Sequence, residues 1–215
     1  MLHRTTHCPE ALMLTEAIVF LVDDDPEMLK ALARTVASAG WPVQTYLSGE
    51  AFLSAYDPIQ AGCVVLDLRM PRVSGLRVQE TLTAQNAHIP LIFVTGYGEV
   101  AVAVQAMKAG AMDFLEKPFS EQMLLACIEH AMARDAQMRQ VQARRTTFAA
   151  RLAQLTRRER EVLDLVLAGL LNKEIAPRLA ISQRTVELHR GRIMQKLHAE
   201  SAVDLARQVF WAQGT

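Results

Sequence analysis

Cysteine is scarce: Cys8, Cys63 and Cys127 are the only three, far apart and in no CxxC or metal-ligand spacing. That argues against a disulfide framework and a cysteine-held metal, and reads as reduced thiols in a cytoplasmic protein. No apolar run approaches the ~20 residues that a membrane-spanning helix needs, so no membrane partner is expected. The N-terminus carries His3, Arg4 and Glu10 with no apolar stretch ending in small residues. A loose tail over 1–15 is expected there, not a signal peptide. Internal repeats and low-complexity segments are absent. Net charge is missing too, since 23 Lys and Arg balance 23 Asp and Glu.

That zero conceals a division. Residues 16–135 hold 8 Lys and Arg against 15 Asp and Glu, whereas residues 136–215 hold 14 against 7. An acidic half joined to a basic half suggests two domains, with the basic one suited to a polyanion. At 215 residues, 51% of them apolar, the chain can build two packed cores and is not disordered by composition.

In the acidic half, short apolar runs alternate with segments of helical spacing. The runs are 18–22, 63–66 and 91–94, with a more polar one at 43–46 and a short one at 112–115. Met28, Leu29, Leu32 and Val36 mark one helix, and Val100, Val104 and Met107 another. This alternation predicts an α/β fold, a parallel sheet covered on both faces. The three most apolar runs should be central and the other two edges. From about Ser120 a helix should continue past Arg134 into a partly helical linker.

From Leu155 the pattern is helical throughout. Thr156 and Glu159 form a capping box, and Gly169 ends that helix. Asn172 should cap a second helix over 172–180, despite Pro177 inside it. Ser182 should cap a third, to about 197, and Ser201 a fourth, to about 211. Four helices, with a short turn before a longer basic one, predict a helix-turn-helix module.

In an open parallel sheet, ligands sit beyond the carboxyl ends of the strands. Those ends carry Asp23, Asp24 and Asp25, then Asp67, Thr95 and Lys117. Clustered carboxylates repel unless a cation sits between them, and a hard divalent ion such as Mg²⁺ suits oxygen donors. A carboxylate such as Asp67 can take a phosphoryl group, with the metal and Lys117 neutralising its oxygens. The alternative for each residue alone is structural: Asp at a strand end often only caps the next helix.

The strings Val22-Asp-Asp-Asp25, Val65-Leu-Asp-Leu-Arg-Met-Pro71, Val94-Thr-Gly96 and Phe114-Leu-Glu-Lys-Pro-Phe119 resemble receiver domains of two-component response regulators, closest to the FixJ-type branch. The resemblance implies a doubly wound (βα)₅ domain over 16–134, CheY-like, with the flavodoxin-like strand order 2-1-3-4-5. It implies Asp67 as phospho-acceptor. Asp24, Asp67 and the Arg69 backbone carbonyl would ligate Mg²⁺, with Asp23 acting mainly through water. Thr95 and Phe114 would form the switch pair and Lys117 the phosphate-binding lysine, before a cis Lys117–Pro118 bond.

In the basic module, Val186, Ile193 and Leu197 should face the core, leaving Arg184, Glu187, Leu188 and Gly191 outward. Glu187 and Leu188 are candidate base readers. Arg184, Arg190, Arg192, Lys196 and Lys173 suit phosphates, although arginine can equally read guanine. His189 is expected in the core with a satisfied hydrogen bond. The strings at 155–162, 172–176 and 182–189 resemble the LuxR/FixJ-type helix-turn-helix. That implies an all-α four-helix DNA-binding domain over 154–215, joined by a helical linker over 135–153. Helix 182–197 would be the recognition helix and 201–212 a dimerisation support. Gly191 stands where the family usually has a basic or larger residue.

Together these imply a phosphorylation-dependent transcriptional regulator. Its expected partners are a sensor histidine kinase, promoter DNA, a second copy once phosphorylated, and RNA polymerase. It is not expected to be an enzyme beyond its own phosphoryl transfer and slow dephosphorylation. Two rivals remain. An Asp-nucleophile phosphohydrolase of the haloacid-dehalogenase type wants a second Asp two residues after the nucleophile, where this chain has Arg69. A phosphate-independent DNA-binding scaffold would leave Asp67 unused.

Overall fold

The computed structural model describes residues 16–96 and 100–213. The expected tail over 1–15, with Cys8, lies outside the described residues. The chain divides into two units, Met1–Met138 and Arg139–Thr215.

In the first unit, β1 (Ile18–Val22), β2 (Val43–Tyr46), β3 (Gly62–Asp67), β4 (Leu91–Thr95) and β5 (Asp113–Glu116) alternate with helices. These are α1 (Pro26–Ser38), α2 (Gly49–Ala55), α3 (Gly75–Ala84), α4 (Val100–Lys108) and α5 (Glu121–Ala153). The strands pair in parallel in the order β2-β1-β3-β4-β5, the doubly wound order expected. Side chains alternate across a strand, so each central run feeds two cores. Val19, Leu21, Cys63, Val65, Ile92 and Val94 pack with Leu29, Leu32 and Val36 of α1 and with Leu124 and Ile128 of α5. Phe20, Val22, Val64, Leu66 and Phe93 pack on the other face with Phe52, Val78, Leu82 and Ala106. The more polar β2 and β5 are the edges.

Three details differ from the sequence expectation. β5 begins one residue later than 112, at Asp113, although Met112 N–H already donates to Leu91 O of β4 (2.9 Å). On α4 it is Ala103 and Ala106 that meet the sheet, while Val104 and Met107 are 47% and 44% exposed. Small side chains let that helix approach closely, which turns its larger residues outward. The third concerns the linker. Ser120 Oγ accepts from Met123 N–H (3.2 Å), and α5 then runs unbroken to Ala153. Asp135 is buried, and its Oδ2 accepts from Gly62 N–H at 3.0 Å. Gly62 has φ +149°, and an added Cβ would lie 1.9 Å from Ile18 O, so only glycine fits there. Phe148, further along α5, belongs to the core of the second unit. The expected linker over 135–153 is therefore divided between two cores.

The second unit adds α6 (Arg157–Leu167), α7 (Asn172–Arg178), α8 (Gln183–Leu197) and α9 (Ala202–Gln213). Val162, Leu163, Ile175, Val186, Ile193, Leu197, Leu205 and Val209 form its centre. Thr156 and Glu159 make the capping box, and Gly169 turns the chain at φ +82°. Ser182 and Ser201 cap α8 and α9 through Thr185 N–H and Asp204 N–H, both at 3.0 Å. Asn172 is the exception. It is the first residue of α7, not its cap, and its Oδ1 accepts from Arg190 Nη1 at 3.0 Å. Glu174 instead reaches back, accepting from Leu171 N–H at 2.8 Å. Pro177 sits in the last turn of α7, where it forfeits at most one helical bond.

Candidate functional site

The carboxyl ends of β1 and β3 meet on one ammonium, carried by the turn after β5. Lys117 Nζ donates to Asp23 Oδ2 at 3.1 Å and to Asp67 Oδ1 at 2.8 Å. Both carboxylates are buried, at 3% and 8% exposure. Their remaining oxygens are also engaged: Asp23 Oδ1 accepts from Asp25 N–H (2.9 Å) and Asp67 Oδ2 from Arg69 N–H (2.7 Å). Burial pushes the Asp67 carboxyl above its ordinary value, against the pull of Lys117 and the Arg69 amide, and Asp23 adds to the rise. Burial acts to lower the Lys117 ammonium, but Asp67 and then Asp23 outweigh it, so its net shift is upward. The pair is a charged acceptor held beside its own cation.

The other expected residues sit around this core. Asp25 is the α1 cap, accepting from Glu27 N–H (2.9 Å) and Met28 N–H (3.3 Å). Asp24 is exposed and makes no hydrogen bond or ion pair among the described residues. Thr95 is 1% exposed, and its hydroxyl donates to Gly96 O at 3.3 Å. Phe114 is half-buried on the edge strand β5, and the Lys117–Pro118 bond is cis. Among the described residues no group of three or more His, Cys, Asp or Glu closes up as a metal site. The donors expected from the sequence are nonetheless all oxygen: the Asp23, Asp24 and Asp67 carboxylates and the Arg69 carbonyl. Such a set suits a hard divalent ion, and Lys117 already supplies positive charge between two of them.

On α8, Val186, Ile193 and Leu197 are buried, and Arg184, Glu187, Leu188, Gly191 and Arg192 are exposed. Lys173, at the start of α7, is exposed. Two expected phosphate contacts are occupied within the fold. Lys196 Nζ lies 2.6 Å from Glu159 Oε2, a buried carboxylate, and also donates to Gln154 O at 3.2 Å. Arg190 holds Asn172. Lys196 is thus a structural cation, because releasing it would strand a buried charge. Burial pulls the Glu159 carboxyl up, but Lys196 and Thr156 outweigh it and its net shift is downward. His189 departs from expectation as well: its Nδ1 is buried without a hydrogen-bond partner among the described residues.

Residues 19–129 match the response regulator receiver domain family, and residues 153–209 the luxR family of bacterial regulatory proteins. The transcriptional regulatory protein FixJ of Azorhizobium caulinodans is 42% identical over 90% of this chain and 92% of its own. The response regulator protein TmoT of Ectopseudomonas mendocina is 42% identical over 89% of this chain and 87% of its own. The solved structure of the response regulator StyR matches with TM-score 0.83 at 43% identity, covering 91% of this chain and 98% of that one. Full-length FixJ from B. japonicum matches with TM-score 0.58 at 39% identity, covering 94% and 99%. The chain belongs to the FixJ-type response regulators.

This response regulator therefore couples a receiver to a LuxR-type DNA-binding module. No helix among its described residues is long and apolar enough to cross a membrane. Some residues that shape its sites were not legible in the motifs. Gly75 opens α3 against Asp67, where a Cβ would meet Asp67 O at 2.5 Å. Asp135 and the Glu159–Lys196 pair are further cases. The Glu159 capping box was visible, but its second partner lies 37 residues away.

Proposed function

We propose that this response regulator is a phosphorylation-dependent transcriptional regulator in which Asp67 accepts a phosphoryl group from a sensor histidine kinase. The observation that carries the reading is Lys117 spanning Asp23 and Asp67 at 3.1 and 2.8 Å. An Asp67 oxygen attacks phosphorus, the phosphorus–nitrogen bond of the donor breaks, and the leaving imidazole keeps the electron pair. The Asp67 carboxylate loses its own charge on phosphorylation, which frees Lys117 to pair with the phosphoryl oxygens. Thr95 gives up a long bond to Gly96 O and donates to the phosphoryl group instead. Phe114, half-buried, turns inward as Thr95 withdraws. Asp23, Asp24, Asp67 and the Arg69 backbone carbonyl would hold Mg²⁺, which neutralises charge on the transferring group.

In the second unit, Glu187 and Leu188 read bases, and Arg184, Arg192 and Lys173 meet phosphates, with Gly191 allowing close approach. Phosphorylated protein pairs with a second copy and occupies two half-sites about one DNA turn apart, from which it engages RNA polymerase. The chain turns over no small-molecule substrate. It catalyses only its own phosphoryl transfer and slow dephosphorylation, and it works in the cytoplasm. The phosphohydrolase alternative lacks its general acid, since Arg69 occupies that position.

Intact mass after incubation with acetyl phosphate and Mg²⁺ tests the reading. One phosphoryl adduct is expected on the wild type and none on Asp67→Asn. No adduct on either, together with failure of a kinase to label the protein, would leave a phosphate-independent DNA-binding scaffold.

A further inference from the structure

The receiver and DNA-reading roles leave unused a groove that lies wholly in the second unit, between the last turns of α5 and α9. It encloses about 540 Å³, within the ~300–1,000 Å³ of small-molecule sites. Phe148, buried, and Trp211, 37% exposed, supply its aromatic surface. Arg144, Thr147, Arg151 and Arg207 bring polar groups to it. Arg144, Phe148 and Arg151 recur at helical spacing along one face of α5, and Arg207 and Trp211 along one face of α9. Arg145 lies 5.8 Å from the Trp211 ring centroid, which steadies that ring against α5.

The charge in this groove is one-sided. Among the described residues no carboxylate lines it. Arg207 is paired with Asp204 at 2.7 Å, but Arg144 and Arg151 have no hydrogen bond or ion pair among the described residues. Nothing nearby in the chain neutralises them, since residues 136–158 contain six arginines and no Asp or Glu. Unpaired guanidinium groups beside an apolar concavity suit a ligand with an anionic head and an apolar body. We propose that this groove binds a small amphipathic anion, its aromatic or alkyl body against Phe148 and Trp211 and its carboxylate, sulfonate or phosphate head between Arg144 and Arg151. A duplex backbone fits less well, because it needs cations on an open face and has no use for a recessed aromatic surface. A bound ligand would tie the extension of α5 to α9 and so give the DNA-binding unit an input separate from Asp67.

The full-length Trp41→Phe protein leaves Trp211 as its only tryptophan, since the chain has two. It would be titrated with 1-anilinonaphthalene-8-sulfonate and with N-phenyl-1-naphthylamine, which has the same body without the anion. Saturable binding of one sulfonate probe per chain is expected, with energy transfer from Trp211, and at least tenfold weaker binding of the neutral probe. R144Q/R151Q should weaken the sulfonate probe at least tenfold, leave the neutral probe unchanged and leave the melting curve unchanged. Three results would overturn the proposal. One is the absence of saturable binding. Another is equal sulfonate affinity in the double variant, with only non-specific duplex DNA binding reduced, which would make these arginines a backbone contact. The last is self-association abolished by the double variant with no probe bound, which would assign the groove to a second copy.

Discussion

The two units treat charge in opposite ways. In the receiver, Asp23 and Asp67 are buried and share one ammonium, so the charges of the proposed site are withdrawn from water. In the DNA-binding unit, Arg184, Glu187 and Arg192 stand exposed on α8, and the Glu159–Lys196 pair is sunk into the fold. Phosphoryl transfer needs a nucleophile in a preorganised, poorly solvated setting. Groove reading needs side chains free to meet bases and phosphates.

The largest expected effect tests the buried side of that contrast. Lys117→Met would leave two buried carboxylates without their cation and should lower stability by about 3 kcal/mol, read as a shift in urea midpoint. Added Mg²⁺ should restore part of the loss; a variant as stable as wild type would mean that the pocket is well solvated. Asp135→Ala strands the buried Gly62 N–H and should cost about 2 kcal/mol by the same measurement. Unchanged stability would mean that water replaces the carboxylate.

Acid titration separates the two units further. Burial raises Asp67, so its ionised form opposes folding; the cost is present at neutral pH and is relieved as pH falls through the carboxylate range. Glu159 is lowered, so the stability it supplies is present above its unfolded value of about 4.3 and lost as pH falls through its folded value. Asp67→Asn should therefore steepen the loss of stability on acidification and Glu159→Gln should flatten it, in thermal melts from pH 7 to pH 3. Glu159→Gln should also cost about 1.5 kcal/mol at neutral pH, through one charge-assisted hydrogen bond. Identical pH profiles for both variants would refute the assigned directions. The smallest effect lies on the exposed face. Arg192→Gln should reduce the salt slope of DNA binding by about 1, whereas Lys196→Met should leave that slope unchanged because its charge is already taken. Equal slopes for both variants would return Lys196 to the phosphate contacts.

Much of this protein was open to reading from residue order. The apolar runs at 18–22 and 91–94 specified buried central strands, and Thr156, Ser182 and Ser201 marked helix starts through local hydrogen bonds that sequence neighbours alone provide. Asp67, Asp23 and Lys117 could be placed on one rim because parallel strands deliver their carboxyl ends to the same edge. Pairings over long separations were not legible in this way. Asn172 looked like a cap until Arg190 took its oxygen, and Lys196 looked like a phosphate contact until Glu159 took its charge. Val104 and Met107 have core-like chemistry, yet the closeness of α4 to the sheet favours Ala103 and Ala106 there.

Local hydrogen bonding and hydrophobic period are properties of neighbours along the chain, so the sequence by itself determined the elements, their order and the identity of the acidic rim. Which cations stay free for DNA, where α5 passes from one core to the other, and how Arg144, Arg151 and Trp211 come to share a groove were decided only by tertiary structure. Each depends on distances between residues remote in sequence, and a charge or a ring acquires its role from the partner that folding brings to it.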